Sequence, residues 1–351
     1  MSPSFERLMA DATRLTRAGD LHAATAAIQA ALRGATVAAR HDDADVIDVP
    51  AREVDVETAE PPPRTPSPDH AGRFIAGRHS HHAAGTREYK LYVPPGYRGQ
   101  ALPLVVMLHG CTQDPDDFAA GTRMNEVALE RDFFVLYPAQ AQNANPSRCW
   151  NWFKHNHQQR GRGEPALLAD MTREVMKRYG IDAQRVYVAG LSAGGAMAAI
   201  LGDAYPDVYA AVGVHSGLPT GSATNVKTAF DAMKHGPSAA AATTGTTPPT
   251  IVFHGDHDAT VHPVNGEKVV AASAGATTAQ RERLRSENGR EYTRHVYRDA
   301  SGRVVSEHWV VHGAGHAWSG GSPHGSYTDS KGPDATEEML KFFFAHALAA
   351  Q

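Results

Sequence analysis

The sequence contains little of what several protein classes require. Only two of its 351 residues are cysteine, too few for a disulfide-rich scaffold and without a metal-ligand spacing. No stretch approaches about 18 consecutive apolar residues, so no membrane span is expected. Lysine and arginine number 34 against 38 acidic residues, and the missing basic excess argues against a nucleic-acid-binding protein. A hydrophobic content of 42% is typical of a globular protein of this length.

The first 72 residues are predicted to precede the main domain. Apolar residues recur at helical spacing between residues 4 and 33, which predicts a helical hairpin over residues 1–35. A docking module for a partner or a polymer granule is the alternative interpretation of the hairpin. Residues 36–72 are acid-rich, lack aromatic side chains and contain five prolines between positions 61 and 68, which predicts a flexible linker. The first 20 residues also lack the unbroken apolar segment of a secretory signal, which favours a cytoplasmic location.

Residues 73–351 have the pattern of an α/β domain. Short apolar segments at residues 102–108 and 132–138 are typical of buried parallel strands. Segments of helical period, such as residues 166–180, alternate with them. This alternation predicts a mostly parallel sheet with helices on both faces. Residues 292–311 read as two strands paired around a turn.

A Gly-x-Ser-x-Gly motif occupies residues 190–194, between a predicted strand and a helix of small residues. In this setting a sharp turn raises the serine hydroxyl above the sheet, and the flanking glycines avoid clashes that a Cβ would create. The motif therefore indicates that Ser192 is a nucleophile. A serine nucleophile needs a histidine base and an acid further along the chain.

Two acids and two histidines compete for these roles. Asp256 and Asp258 follow an apolar strand, and we favour Asp258 because its loop can reach back towards the base, with Asp256 as a turn residue. His312 leaves a later strand directly, whereas His316 lies in a glycine-rich loop that suits a catalytic base. We therefore predict a triad of Ser192, Asp258 and His316.

An acyl-transfer site also needs N–H donors for the oxyanion. One donor is expected to be the backbone N–H of Ala193, the residue after the nucleophile. The second is expected from the loop after an earlier strand, "HGCTQ", where the N–H of Cys111 is the best candidate.

Six ordered motifs between residues 73 and 347 resemble the poly(3-hydroxybutyrate) depolymerase family of esterases, which is related to feruloyl and acetylxylan esterases. They are "LYVPPGY", "PLVVMLHGCTQ", "CWNWF", "GLSAGGAM", "FHGDHDATVHP" and "GAGHAWSGG". The resemblance implies an α/β-hydrolase fold, the same triad and the same oxyanion donors. It also implies a disulfide between Cys111 and Cys149 and an extracellular location, although a lone cysteine pair in a cytosolic protein is more often reduced.

Other side chains near the motifs allow two interpretations. Four aromatic residues can either fill the core or offer a surface to the substrate's acyl chain or aromatic ring. They are Trp150, Trp152, Phe153 and Trp318. Glu164 is interpreted as a satisfied polar anchor, and the histidines at positions 79, 81 and 82 as solvated side chains, because no cysteine or carboxylate stands in ligand spacing beside them.

The sequence thus predicts a serine esterase that needs no metal or organic cofactor. The expected substrate is a hydroxyalkanoate polyester or its oligomers. The alternatives are a feruloyl, acetylxylan or general short-chain ester, or, in another class, a polymer-binding protein that acts through the N-terminal hairpin. No protein partner and no oligomeric state are predicted.

Overall fold

The computed structural model describes residues 71–82, 84–237, 247–275 and 277–349. The predicted N-terminal hairpin and all but the last two residues of the predicted linker lie outside these ranges.

Ten strands of the described chain form one sheet. Its order is β1-β2-β4-β3-β5-β6-β7-β10-β9-β8. The six strands from β4 to β10 in this order are parallel, while β1 and β2 on one side and β9 and β8 on the other are antiparallel. The strands are β1 (Arg73–His81), β2 (Gly85–Val93), β3 (Leu104–Leu108), β4 (Phe134–Pro138), β5 (Val186–Leu191), β6 (Ala211–His215), β7 (Thr250–Gly255), β8 (Ala279–Arg285), β9 (Glu291–Arg298) and β10 (Val304–Val311). A separate short pair is β11 (Trp318–Ser319) with β12 (Thr328–Asp329).

Helices cover both faces of the sheet, as predicted. They are α1 (Pro115–Thr122), α2 (Met124–Arg131), α3 (Gly163–Tyr179), α4 (Ala193–Ala204), α5 (Val226–His235), α6 (Val264–Ala274) and α7 (Ala335–Phe344). Because side chains alternate along a strand, Leu104 and Val106 pack in the core under α3 to α6, while Val105 and Met107 pack in the core under α1, α2 and α7. The predicted mostly parallel α/β architecture is therefore confirmed.

The structure differs from the sequence prediction at β1. His79 is 5% exposed, and its two ring nitrogens lie 2.5 Å from Glu174 Oε2 and 3.1 Å from Asp170 Oδ2. The two carboxylates are one turn apart on α3, so they bind the ring together. The prediction of a solvated side chain is therefore wrong for His79, because carboxylates distant in sequence bury and pair it.

Candidate active site

The carboxyl ends of the parallel strands bring the predicted triad residues to one edge of the sheet. Ser192 directly follows β5, Asp258 lies three residues after β7, and His316 lies five residues after β10. The strands β5, β6, β7 and β10 are consecutive neighbours in the sheet and run in the same direction. Such an edge is where open α/β sheets form their sites.

Ser192 adopts a conformation that L-residues rarely occupy. Its φ and ψ are 58° and −118°, between the end of β5 and the start of α4. Its N–H donates to the carbonyl of His215, at the end of the neighbouring strand, over 2.9 Å. A non-glycine residue in such a region is strained and persists only when its surroundings hold it. The turn fixes where the Ser192 side chain begins.

The glycines of the motif allow β3 and α4 to approach each other. A Cβ on Gly194 would lie 2.0 Å from the carbonyl oxygen of Leu108 and 2.6 Å from that of His109. A Cβ on Gly190 would lie 2.7 Å from the same Leu108 oxygen. All three distances are below any van der Waals contact, so only glycine fits at either position. The close approach brings the loop after β3 against Ser192.

Asp258 is a buried carboxylate with a full set of donors. Its Oδ1 accepts the N–H groups of Thr260 and Val261, each over 2.9 Å. Its Oδ2 lies 2.7 Å from His316 Nδ1 and 3.4 Å from His254 Nε2. Burial alone would raise the pKa of Asp258, but the bonds from the two histidines and the Val261 N–H hold it well below the ordinary value. The ionised carboxylate fixes His316 with Nδ1 as the donor, which leaves Nε2 for another partner.

The competing acid and base form a second pair. His312 Nδ1 lies 2.8 Å from Asp256 Oδ2, and its Nε2 lies 2.8 Å from the hydroxyl of Thr293. Asp256 also accepts the Gly313 N–H over 2.6 Å, so both of these contacts are with the loop after β10 and neither caps the turn of Asp256 itself, as the sequence had suggested. The structure thus brings Asp258 together with His316, and Asp256 together with His312.

Among residues 110–113, one backbone N–H is left without an acceptor in the described chain. The N–H of Gly110 donates to Gln113 Oε1, that of Thr112 to the Ser147 carbonyl, and that of Gln113 to the Gly110 carbonyl. No group in the described chain accepts the N–H of Cys111. Ala193 is the first residue of α4, and the first N–H groups of a helix have no acceptor within it.

The disulfide implied by the resemblance is present. Cys111 and Cys149 are bonded, with their Cα atoms 4.2 Å apart. The loop before Cys111 is also held by the buried His109. Its Nδ1 donates to the Gly110 carbonyl over 2.7 Å and its Nε2 accepts the Gln140 N–H over 3.1 Å. Burial lowers the pKa of His109 to about 4, so the ring stays neutral and keeps this pair of bonds.

Three of the four predicted substrate aromatics are buried. Trp150, Trp152 and Trp318 are 0%, 5% and 1% exposed. Trp150 Nε1 donates to the His109 carbonyl over 3.1 Å, and Trp318 Nε1 donates to Thr336 over 3.1 Å. Their rings therefore pack inside the protein and offer no open face to a substrate in this structure. Phe153 remains partly exposed.

Glu164 anchors the aromatic loop. Its carboxylate, 2% exposed, accepts the backbone N–H of Asn151 over 2.7 Å and the side-chain amide of Gln140 over 2.6 Å. Burial would raise the pKa of Glu164, but the nearby His157 ring and these donors lower it. Arg87 Nη2 lies 3.3 Å away. The sequence identifies Glu164 as a polar anchor. Its partners come from three separate segments of the chain, which the sequence does not identify.

Sequence reasoning missed several residues beside the site. His215 stacks on the Trp318 ring, with centroids 5.1 Å apart, and its Nε2 accepts the Ser319 N–H over 2.9 Å. Burial, with His254 and His316 nearby, lowers the pKa of His215, so it is a neutral support for the loop that carries His316. Only its position at the end of a buried strand could have suggested it.

Tyr327 is the second missed feature. It is 46% exposed, has a φ of 53°, and its hydroxyl lies 3.2 Å from the hydroxyl of Thr112. Its carbonyl accepts the Trp318 N–H over 2.7 Å. Tyr327 therefore joins the loop of Cys111 to the loop of His316 while its ring stays accessible.

Within the described ranges, no cluster of histidine, cysteine and acidic side chains could hold a metal ion. Nor does any helix there have the length and apolar character needed to cross a bilayer. The groups that the structure brings to this edge of the sheet include the hydroxyl residue Ser192, the imidazole of His316 and the carboxylate of Asp258.

Comparison with known proteins gives consistent matches. Residues 87–289 match the family described as Esterase PHB depolymerase. The chain is 32% identical over 237 residues to poly(3-hydroxyalkanoate) depolymerase C of Paucimonas lemoignei, covering 64% of this chain and 57% of that protein. It is 29% identical over 186 residues to feruloyl esterase B of Thermothelomyces thermophilus, covering 48% of this chain and 63% of that protein. The chain thus spans less than two thirds of the length of these relatives.

A solved structure extends the comparison to the fold. The acetyl xylan esterase from Aspergillus awamori superposes with a TM-score of 0.62 at 18% identity, over 77% of this chain and 99% of that one. At this identity the likeness establishes the fold alone, which is the predicted α/β-hydrolase fold.

Proposed function

We propose, from the premise that this chain belongs to the Esterase PHB depolymerase family, that it is a serine carboxylic ester hydrolase. The observation that carries the proposal is the 2.7 Å contact between His316 Nδ1 and the ionised Asp258. It lies at the sheet edge where Ser192 occupies a strained turn.

The proposed reaction proceeds through an acyl-enzyme. His316 Nε2 takes the proton of Ser192 as the hydroxyl attacks the ester carbonyl, and the Asp258 carboxylate stabilises the imidazolium that forms. The N–H groups of Cys111 and Ala193 bind the oxyanion of the tetrahedral intermediate. His316 then protonates the leaving alcohol, and a water molecule, deprotonated by His316, releases the acid.

Substitution of the nucleophile tests the proposal. Ser192→Ala should lower kcat for p-nitrophenyl butyrate by at least about 10³-fold, because the acyl-enzyme cannot form. Circular dichroism should show an unchanged fold. Wild-type activity in the variant would contradict the assignment.

A hydroxyalkanoate polyester or its oligomers is the proposed substrate class. The support is the 32% identity to a protein named as a poly(3-hydroxyalkanoate) depolymerase. A feruloyl or acetylxylan ester is the second candidate, supported by the 29% identity to feruloyl esterase B. Phe153 and Tyr327 are the proposed aromatic contacts, because their rings remain accessible whereas the three tryptophans are buried.

Product analysis separates the two substrate classes. The protein would be incubated with hydroxybutyrate trimers, methyl ferulate and acetylated xylan, with Ser192→Ala as the blank. Release of hydroxybutyrate at a higher kcat/KM than ferulate or acetate supports the polyester. The reverse order would replace it with the second candidate.

A further inference from the structure

The pair of Asp256 and His312 lies outside the proposed triad yet repeats its acid–base geometry. Its Nδ1···Oδ2 distance of 2.8 Å is close to the 2.7 Å of the inner pair, Asp258 and His316. Burial would raise the pKa of Asp256, but the contacts with His312 and the Gly313 N–H lower it. The outer pair is therefore a formed carboxylate–imidazole contact at a partly exposed position.

The outer pair cannot serve as a second catalytic centre. Both ring nitrogens of His312 are already bonded, one to Asp256 and one to the Thr293 hydroxyl over 2.8 Å. Thr293 is only 2% exposed, so its hydroxyl cannot reach a substrate. The arrangement needs another explanation.

The outer pair joins the same two loops as the inner pair. The Asp256 N–H donates to the Val311 carbonyl over 3.1 Å, and the His257 N–H donates to the Ala314 carbonyl over 3.0 Å. Asp256 further accepts the Gly313 N–H over 2.6 Å. The loop that carries Asp258 is thus hydrogen-bonded to the loop that carries His316. These hydrogen bonds lie between the ends of the strands and the inner pair.

The loop of His316 makes few other hydrogen bonds and ion pairs at its start. The His312 N–H donates to the Glu291 carbonyl over 2.9 Å. Arg290 Nη1 donates to the His312 carbonyl over 3.3 Å and its guanidinium pairs with Asp329. Gly313 and Gly315 flank Ala314, and glycine has the largest conformational freedom of any residue. The side-chain contact between His312 and Asp256 precedes this segment and limits where His316 can lie.

We infer that Asp256 and His312 are positioning residues for the base His316, an inference that rests on the proposed function. They hold the two loops at the spacing that the His316–Asp258 contact requires. Catalytic groups act efficiently only within about 0.5 Å of the productive geometry, which supporting contacts must maintain. Loss of the outer pair therefore reduces the fraction of molecules with a correctly placed base.

Two variants of the full chain test this role. Asp256→Ala removes both acceptors and should lower kcat for p-nitrophenyl butyrate roughly tenfold, with KM within about twofold of wild type, because only base placement changes. His312→Leu should lower kcat by a similar factor, again with little change in KM. His312→Asn keeps an amide N–H at the position of Nδ1 and should restore most of kcat.

A spectroscopic readout separates positioning from general destabilisation. The Nδ1 proton of His316 should give a downfield proton NMR resonance that is absent from His316→Ala. Asp256→Ala should broaden or shift this resonance at a temperature where circular dichroism shows a fully folded protein. Asp299→Ala is the matched control, because Asp299, like Asp256, accepts both backbone N–H and side-chain donors, here from Ser301 and Arg303 in a remote turn.

Wild-type kcat and an unchanged resonance in Asp256→Ala would overturn the inference, as would an equal loss of kcat in Asp299→Ala. A loss of kcat that follows only the unfolded fraction would also overturn it. If the wild-type protein hydrolyses no ester faster than Ser192→Ala, the proposed function fails instead. The resonance would then still decide whether Asp256 positions His316.

Discussion

The backbone of Ser192 stores conformational free energy at a single residue. Its φ of 58° and ψ of −118° suit glycine better than any L-residue. Ser192→Gly should therefore be more stable than Ser192→Ala by about 1 kcal/mol, although both are inactive. Urea unfolding of the two variants measures the difference.

A serine inside a helix gives the matched comparison. Ser273 lies in α6, where glycine is less favourable than alanine by about 1 kcal/mol. The order of stability should therefore reverse for Ser273→Gly and Ser273→Ala. The same order at both positions would mean that the turn at Ser192 is not strained.

The carboxylate of Asp258 makes folding depend on pH. Its pKa is lowered in the folded protein, whereas an unfolded aspartate has a pKa of about 3.9. The ionised carboxylate of Asp258 therefore contributes fully to the free energy of unfolding above the unfolded pKa. This contribution is lost as the pH falls below that value. Asp258→Asn should reduce the slope of unfolding free energy against pH below pH 4 by up to about 1.4 kcal/mol per pH unit.

Urea unfolding at a series of pH values measures this slope. Asp231→Asn changes an exposed carboxylate on α5 and should keep the wild-type slope. An unchanged slope in Asp258→Asn would show that Asp258 is not held ionised by its neighbours.

Sequence reasoning was most effective where a residue's role follows from its local environment. The turn at Ser192 is encoded by adjacent glycines, so the motif predicts it without the rest of the chain. Tyr327 depends on a contact with Thr112, and His215 on stacking with Trp318. Both pairs are distant in sequence, and no local pattern records such contacts. The buried tryptophans illustrate the same limit, because exposure is set by tertiary packing.

At the scale of elements, the approach of β3 to α4 determines the shape of the site. Gly194→Ala would place a Cβ 2.0 Å from the Leu108 carbonyl oxygen. We expect a loss of about 2 kcal/mol or more in stability, because the contacts are with backbone that cannot rotate away. Thermal unfolding and esterase assays would measure the effect.

Gly315 supplies the contrast for this variant. No heavy atom lies within 4 Å of a Cβ built there, so Gly315→Ala should keep near-wild-type stability. Equal losses for both variants would mean that glycine flexibility, and not the close contact of β3 with α4, explains the result at Gly194.

The elements were predictable to different degrees. Buried strands such as β3 and β4 have unbroken apolar sequences, and α3 ends at Gly180 with a φ of 60°, as its pattern predicts. Strand β8 was not predicted. Its sequence, AQRERLR, is mostly charged and exposed, and it forms a strand because β9 offers free backbone groups at the sheet edge.

At the scale of the whole molecule, the disulfide fixes a loop that ends at the proposed oxyanion donor. Cys111 and Cys149 are 38 residues apart, and closing a loop of that length stabilises a fold by about 4 kcal/mol in the chain-entropy account. Reductant should therefore lower Tm by on the order of 5–10 °C. Differential scanning calorimetry with and without reductant measures the shift.

The double variant Cys111→Ala, Cys149→Ala is the control for this prediction. It should unfold at the lower temperature under both conditions and show no response to reductant. A wild-type Tm that does not change under conditions shown to reduce the bond would mean that the His109 and Glu164 contacts hold the loop without it.

The shared direction of the six central strands allows the protein to be attached to a support in a chosen orientation. The proposed site occupies their carboxyl edge, whereas α3 ends at the amino edge, where the Asp182 N–H donates to the Leu102 carbonyl. Lys177 is exposed in the last turn of α3. Because the two native cysteines are bonded to each other, Lys177→Cys would introduce the sole free thiol. Coupling that thiol to a maleimide support would immobilise the protein in one orientation, with the carboxyl edge directed away from the support.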